Sequence, residues 1–213
     1  MRITKFGHAC VRIEYDGHVV VVDPGAFTEQ DAVHGAETVL ITHEHRDHYH
    51  PDHLRASDAT IMTIEAVAAQ LREDAPDLVE RLVVVSPGEA LDVGFPARVV
   101  GERHAVIHPE LPRFDNSGYL FELGGVTLYH PGDALTAPGE PVDILCAPVS
   151  APWLKVSEAI DFIREVGAPR NLAIHDAIYS ELGLLVVDGH MKLLNEPLGY
   201  GYTRLAAGQD LEL

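Results

Sequence analysis

Between Thr42 and His53 the chain reads THEHRDHYHPDH, which places five of its thirteen histidines in one short stretch beside Glu44, Asp47 and Asp52. Imidazole nitrogen and carboxylate oxygen are the usual ligands of zinc, and they also suit manganese and iron. The core spacing is His43-x-His45-x-Asp47-His48. Two histidines at i and i+2, leaving the end of a buried strand, can converge on one ion. Asp47 and His48 follow and can face a second. A single loop does not fill two coordination shells, so further ligands have to come from elsewhere.

Three other apolar runs end in a ligand-type residue: VVGERH in His104, VTLYHPGD in Asp133 and NLAIH in His175. Function is commonly carried at such points, where a rigid scaffold hands over to a loop. The set divides into His43, His45 and His104 around one ion and Asp47, His48 and His175 around another, with Asp133 bridging. His108, in HAVIHPELP, competes with His104 as third ligand, and His104 is preferred because it lies nearer the strand end. His50 and His53 fall past the motif, at the expected start of a helix. Each residue alone has an ordinary reading: a solvated loop, a lone strand-end histidine, an aspartate in a turn. Their order after four strands makes coincidence the poorer account.

Such a site needs strands to hold it. Val11 to Tyr15 alternate apolar and polar, as a half-buried antiparallel strand does, and the Asp16-Gly17 pair before HVVVVD is a hairpin signal. VVVVDP is apolar on both faces and belongs in the middle of a sheet. TVLIT, TIMT, RLVVVS, the pair EALDVG and FPARVVGERH, the pair flanking Gly124-Gly125, VDILCAPV and RNLAIH read as further strands. IEAVAAQLRED reads as a helix, and so does SEAIDFIREVG, with Ser157 as N-cap and Gly167 as stop. Ser180 to Asn195 reads as helical, and GYTRLAAGQDLEL as a closing strand pair. About a dozen strands with two to four helices predict an α/β (α+β) fold of two antiparallel-rich sheets with helices outside. No linker or repeat divides residues 1–213, so a single domain is expected.

The 213 residues carry 33 Asp+Glu against 15 Lys+Arg, a formal charge of −18, with no basic run, so a nucleic-acid partner is not expected. The two cysteines, Cys10 and Cys146, have neither disulfide-framework nor zinc-finger spacing, and Cys146 lies in an apolar run typical of core. The N-terminal residues lack a signal-peptide pattern and no window is apolar enough to span a bilayer. The expectation is a cytoplasmic protein with no membrane partner, acting on a small molecule, with homo-oligomerisation left open.

HEHRDH resembles the H-x-H-x-D-H signature of the metallo-β-lactamase superfamily, and His104, Asp133 and His175 follow in the order of that superfamily's remaining ligands. FGHACVRIEYDGHVVVVDPG is similar to the N-terminal hairpin of the branch containing bacterial metal-dependent hydrolases and ascorbate-phosphate lactonase-like proteins. The resemblance implies a four-layer αββα sandwich and a dinuclear site of two divalent ions, zinc first and Mn2+ or Fe2+ as alternatives. It implies that Asp23 orients ligands. The expected activity is hydrolysis of an ester, lactone, amide or phosphodiester, with Asp47 orienting the attacking water. The alternatives are an iron-dependent redox protein of the same superfamily and a non-catalytic metal-binding domain. Flavin-linked di-iron members of the superfamily carry Glu at the second signature position, where this chain has His45. His130, Arg113 and Trp153 are candidate substrate contacts by position only, and Phe114, Tyr179 and Lys155 are further candidates to border the cleft.

Overall fold

The computed structural model describes residues 1–213 as fourteen strands and four α-helices, with three short 3₁₀ turns. Strands β1 (Arg2–Lys5), β2 (Val11–Tyr15) and β3 (His18–Val22) form an antiparallel meander. Asp16 and Gly17 both take positive φ at the β2–β3 turn, the geometry that makes Asp-Gly a tight hairpin. Strands β4 (Thr38–Ile41), β5 (Thr60–Thr63) and β6 (Leu82–Val84) then add in parallel. The second sheet repeats the plan. Strands β7 (Ala90–Asp92), β8 (Pro96–Val100), β9 (Gly118–Leu123) and β10 (Val126–His130) are antiparallel, and β11 (Ile144–Pro148), β12 (Arg170–Ile174) and β13 (Gly201–Thr203) follow in parallel. The chain ends by crossing back: β14 (Gln209–Asp210) pairs with β1 in the first sheet.

The sheets are therefore mixed rather than dominated by antiparallel pairs. Parallel neighbours need a crossover, and α-helices supply it in four of the six cases. Helices α1 (Pro51–Arg55) and α2 (Glu65–Asp74) lie along the first half, and α3 (Val156–Val166) and α4 (Glu181–Asn195) along the second. One cluster of 20 buried residues, including Ile13, Val22, Leu40, Phe121, Leu128, Cys146 and Ile174, joins the facing sides of the two sheets. A second cluster packs Ile160, Ile163, Val187 and Met191 on the outer face of the second sheet, and a third packs Leu54, Val67 and Leu71 on the first. The result is the expected α/β/β/α sandwich. Each fully buried Val, Leu or Ile in these clusters contributes about 1.5–3 kcal/mol.

Two local expectations differ. The cap of α3 is Lys155, not Ser157, which is already inside the helix. The Lys155 N–H donates to the Glu158 carboxylate and the Glu158 N–H to the Lys155 carbonyl, each at 2.9 Å, so the first turn closes without a capping hydroxyl. The closing segment is not a strand pair with itself, because β13 joins one sheet and β14 the other. Leu211, just after β14, joins the same core cluster as Phe121 of the second sheet.

Candidate metal centre

The site lies at the C-terminal ends of β4, β10 and β12, the end at which parallel strands present ligands in α/β sheets. The loop after β4 carries His43, His45, Asp47 and His48. A close approach holds it. A side-chain carbon on Gly25 would lie 1.8 Å from the Asp47 carbonyl oxygen, so only glycine lets the β3–β4 connection press against this loop. The Ala26 N–H donates to the Arg46 carbonyl at 2.8 Å there.

The tautomers follow from the hydrogen bonds. His48 Nδ1 faces Asp23 Oδ2 at 2.7 Å, His104 Nδ1 faces the Ala105 carbonyl at 2.6 Å, and His175 Nδ1 donates to the Ser150 carbonyl. Each partner is an acceptor, so each ring carries its proton on Nδ1 and turns a free Nε2 inward. Thr42 Oγ1 donates to Asp23 Oδ2 at 2.8 Å and can accept from His43 Nδ1 at 2.9 Å, which frees His43 Nε2 as well. That atom lies 3.0 Å from His45 Nδ1. Asp23, fully buried and at φ 51, thus orders His48 directly and His43 through Thr42.

These inward atoms converge on Asp133. Its Oδ2 lies 3.1 Å from His175 Nε2, 3.3 Å from His104 Nε2 and 3.9 Å from His43 Nε2, and its Oδ1 lies 3.2 Å from His48 Nε2. The ligand atoms fall into two groups, each within 4.8 Å: His43, His45, His104 and Asp133, and His8, Asp47, His48 and His175. His48 Nε2, His104 Nε2, His175 Nε2 and Asp133 Oδ1 are buried with no hydrogen-bond partner. Buried polar atoms without partners are costly and uncommon. Several lone pairs aimed at one another are what a cation would satisfy, and the donor set of imidazole and carboxylate suits a divalent metal.

The protonation states of both carboxylates and of His43 agree with that use, while Asp133 and Asp23 overcome burial and raise His48 well above the ordinary imidazole value. Burial disfavours ionised Asp133, yet the surrounding imidazoles, His175 and His48 foremost, outweigh it and hold the carboxyl well below the usual carboxylate range. Burial also opposes ionisation of Asp47, and the hydrogen bond from His8 with the neighbouring His48 and His175 again wins. His43 is held neutral, first by burial and then by His48.

His8 was not anticipated. It lies just after β1, ring centroid 3.9 Å from that of His175, with Nε2 3.2 Å from Asp47 Oδ2. Its Nδ1 accepts the Ala177 N–H at 3.1 Å, so the proton of the neutral ring sits on Nε2 and is donated to Asp47. Burial pushes its pKa down to about 4. Its backbone carbonyl also accepts the His175 N–H at 3.0 Å. A lone histidine in FGHAC has no ligand spacing to announce it. The one available signal is its place at a strand end.

The other candidates separate. His104 enters the cluster, and His108 is exposed on the following loop, accepting the Glu110 N–H. His50 caps α1 and His53 faces the Pro24 carbonyl, both outside the two groups. His104 lies four residues beyond the end of β8, not on it, held beside a bridge between Arg103 and Asp115. The expectation that His130 contacts substrate is corrected: it is fully buried, with Nε2 on the Ala9 carbonyl at 2.8 Å and Nδ1 accepting the Gly132 N–H at 3.2 Å, so it braces the Asp133 turn from behind. Trp153 Nε1 donates to Asp133 Oδ2 at 3.1 Å, and Arg113 Nε to the His104 carbonyl at 2.8 Å. Phe114 sets its ring edge on His45, centroids 4.5 Å apart. Lys155 pairs with Glu158 on the surface.

The family model described as a β-lactamase superfamily domain matches residues 2–175, a span that includes every residue of both groups. A protein of Mycobacterium tuberculosis, Rv0786c, is 40% identical over 185 residues, covering 84% of this chain and 85% of its own. The UPF0173 metal-dependent hydrolase ABC2731 of Shouchella clausii is 26% identical over the full length of both chains. Among solved structures, Igni18, a metallo hydrolase from the archaeon Ignicoccus hospitalis, superposes with a TM-score of 0.74 at 16% identity, over 99% of this chain and 97% of that one.

Proposed function

Because the chain belongs to the metallo-β-lactamase superfamily and is a metal-dependent hydrolase, we propose that it works with two divalent ions, zinc first and Mn2+ or Fe2+ as alternatives, on an ester, lactone or phosphodiester of a small molecule. The observation that carries this is the set of buried, partnerless atoms His48 Nε2, His104 Nε2, His175 Nε2 and Asp133 Oδ1, all directed into one small volume. His43, His45 and His104 would hold one ion and His48, Asp47 and His175 the other, with Asp133 between them. Ions bound there would lower the pKa of water between them from 15.7 towards about 7 and polarise the electrophilic oxygen of the substrate.

The protein's own groups do the rest. Asp133 is all but inaccessible, whereas the Asp47 side chain is 23% exposed. Asp47 is therefore the carboxylate that a water can reach. His8 fixes Asp47 Oδ2 in place, so the carboxylate can orient the attacking water and take its proton. Asp23 and Thr42 keep His43 and His48 in the tautomer that leaves Nε2 free. Trp153 holds Asp133 Oδ2 through its indole N–H. Arg113, tethered to the backbone of His104, is placed to meet an oxygen of the substrate at the mouth. A cytoplasmic setting and a small-molecule partner complete the reading.

Elemental analysis joined to a panel of lactones, phosphodiesters and thioesters tests it. Two metal equivalents per chain are expected. His43→Ala should lose at least one of them and lower kcat/KM on the accepted substrate at least 100-fold. Unchanged metal content and unchanged rate in His43→Ala would remove the central claim.

A further inference from the structure

Helix α4 is apolar on two sides. Its inner side buries Leu184, Val187 and Met191 against the molecule. Its outer side carries Leu182, Val186, Gly189 and Leu193, and the three side chains are 72%, 53% and 70% exposed. Leu185 flanks them, 62% exposed. Steps of four, three and four residues keep the outer positions in one line, the spacing of a coiled-coil seam. The neighbouring helix differs. α3, joined to α4 by Arg164 Nη2 on the Leu194 carbonyl at 2.8 Å, turns Ser157, Asp161 and Glu165 to solvent, as a helix outside a sandwich does. A helix that is apolar all round is one that is covered on both sides.

Three details say what covers it. Gly189 is exposed, has no positive φ, and a side-chain carbon there would meet nothing within 4 Å. Nothing inside the molecule calls for a glycine, which weakens a helix relative to alanine. A second helix crossing at that point does, because backbones approach closely only where no side chain intervenes. The second detail is charge. At −18, copies of the chain repel one another over most of their surface. The outer face of α4 escapes this. Asp188, the one carboxylate between Glu181 and Glu196, is turned inward, accepting from the Tyr202 hydroxyl at 2.8 Å and Arg204 Nε at 2.9 Å. The third detail is symmetry. Turned end for end about a two-fold axis at the level between Val187 and Asp188, Leu182 of one copy meets Leu193 of the other. Val186 then meets Gly189, so the bulky side chain faces the gap. A two-fold interface requires this self-complementarity. The same rotation brings Lys192 of one copy near Glu181 of the other.

We propose that the outer face of α4 is covered by α4 of a second copy, in an antiparallel pair that crosses at Gly189. The pairing is independent of the reaction at the metal centre. Two such 15-residue helices, each about 22 Å long, bury on the order of 1,000 Å² in all. Specific interfaces begin near that size, so the dimer is reversible. A membrane surface is the poorer occupant, because helices lying on one are rich in Lys and Arg, and α4 has Lys192 alone.

Sedimentation velocity of the metal-replete full chain, from about 1 to 200 μM, tests this, with a dissociation constant expected in the micromolar range. Leu193→Glu places a carboxylate in the seam of both copies and should weaken the dimer at least about tenfold. Leu182→Glu should do the same. Both positions are exposed, so the core is untouched, and far-UV circular dichroism confirms the fold. Val83→Glu, on the edge strand β6 and equally in solvent, should leave the dimer intact. Orientation has its own readout. Both native cysteines are buried, so introduced thiols are read alone. Mixed Leu182→Cys and Leu193→Cys chains should form a disulfide-linked dimer under mild oxidation, and neither variant should do so by itself. A monomer throughout the range overturns the proposal. So does a dimer indifferent to Leu193→Glu, or one dispersed by Val83→Glu, or cross-linking of a single variant with itself. Sedimentation of a monomeric chain with phosphatidylcholine vesicles, lost in Leu193→Glu, also overturns it, since the face would then be a membrane seat.

Discussion

At the scale of single residues, the centre depends on which nitrogen of each imidazole holds its proton. Asp23 determines this for His48 and, through the Thr42 hydroxyl, for His43. Asp23→Asn offers an amide in place of an acceptor pair. It is expected to weaken metal retention about 10–100-fold while the ligands themselves are unchanged, read by competition with a chelator. His8→Ala removes the donor to Asp47 and the ring beside His175, and a similar weakening should follow, confined to one of the two metal equivalents. Cys146 tests the core rather than the site. Burial pushes its thiol up to about 12. Below about pH 8.5, the ordinary thiol value, folded and unfolded chains are both protonated and stability is full. As the pH rises from there towards 12 the unfolded chain releases a proton that the folded chain keeps, so stability falls by up to about 1.4 kcal/mol per pH unit. Urea midpoints at alkaline pH should decline less steeply in Cys146→Ala than in the parent.

At the scale of elements, the ligand loop is shaped by its neighbour. Gly25 lies where any side chain would strike the Asp47 carbonyl. Gly25→Ala should therefore displace the loop, cost about 1–3 kcal/mol in urea unfolding and reduce bound metal below two equivalents. A stability loss with full metal content would show that the loop adapts. The same scale explains what the sequence made legible. The period-two alternation of β2, the Asp-Gly hairpin and the apolar runs of β4, β11 and β12 can be read directly, because burial on a sheet face imposes them. The cap of α3 could not, since it rests on the Glu158 carboxylate reaching back to the Lys155 N–H, with no hydroxyl at the cap position. Nor could the half-parallel pairing of each sheet, which depends on where helices carry the chain.

At the scale of the molecule, one core joins the inner faces of both sheets, and the chain's last strand returns to its first. The two halves should not unfold separately. Trp153 fluorescence and far-UV circular dichroism are expected to report one coincident urea transition in metal-free protein, and two separated transitions would show that each half holds its own structure. No helix is long and apolar enough to cross a membrane.

The sequence by itself determined the ligand types and their spacing from His43 to His48, and the apolar runs after which His104, Asp133 and His175 follow. Metal chemistry demands those residues, and sheet geometry demands those apolar runs. Tertiary structure alone decided what lies between them. It brought His8 from the first loop onto Asp47 and His175 and set His130 behind the Asp133 turn instead of in the cleft. A contact between residues some 40 to 170 positions apart leaves no periodicity in either neighbourhood, because its energy is gained only when the sheets have packed.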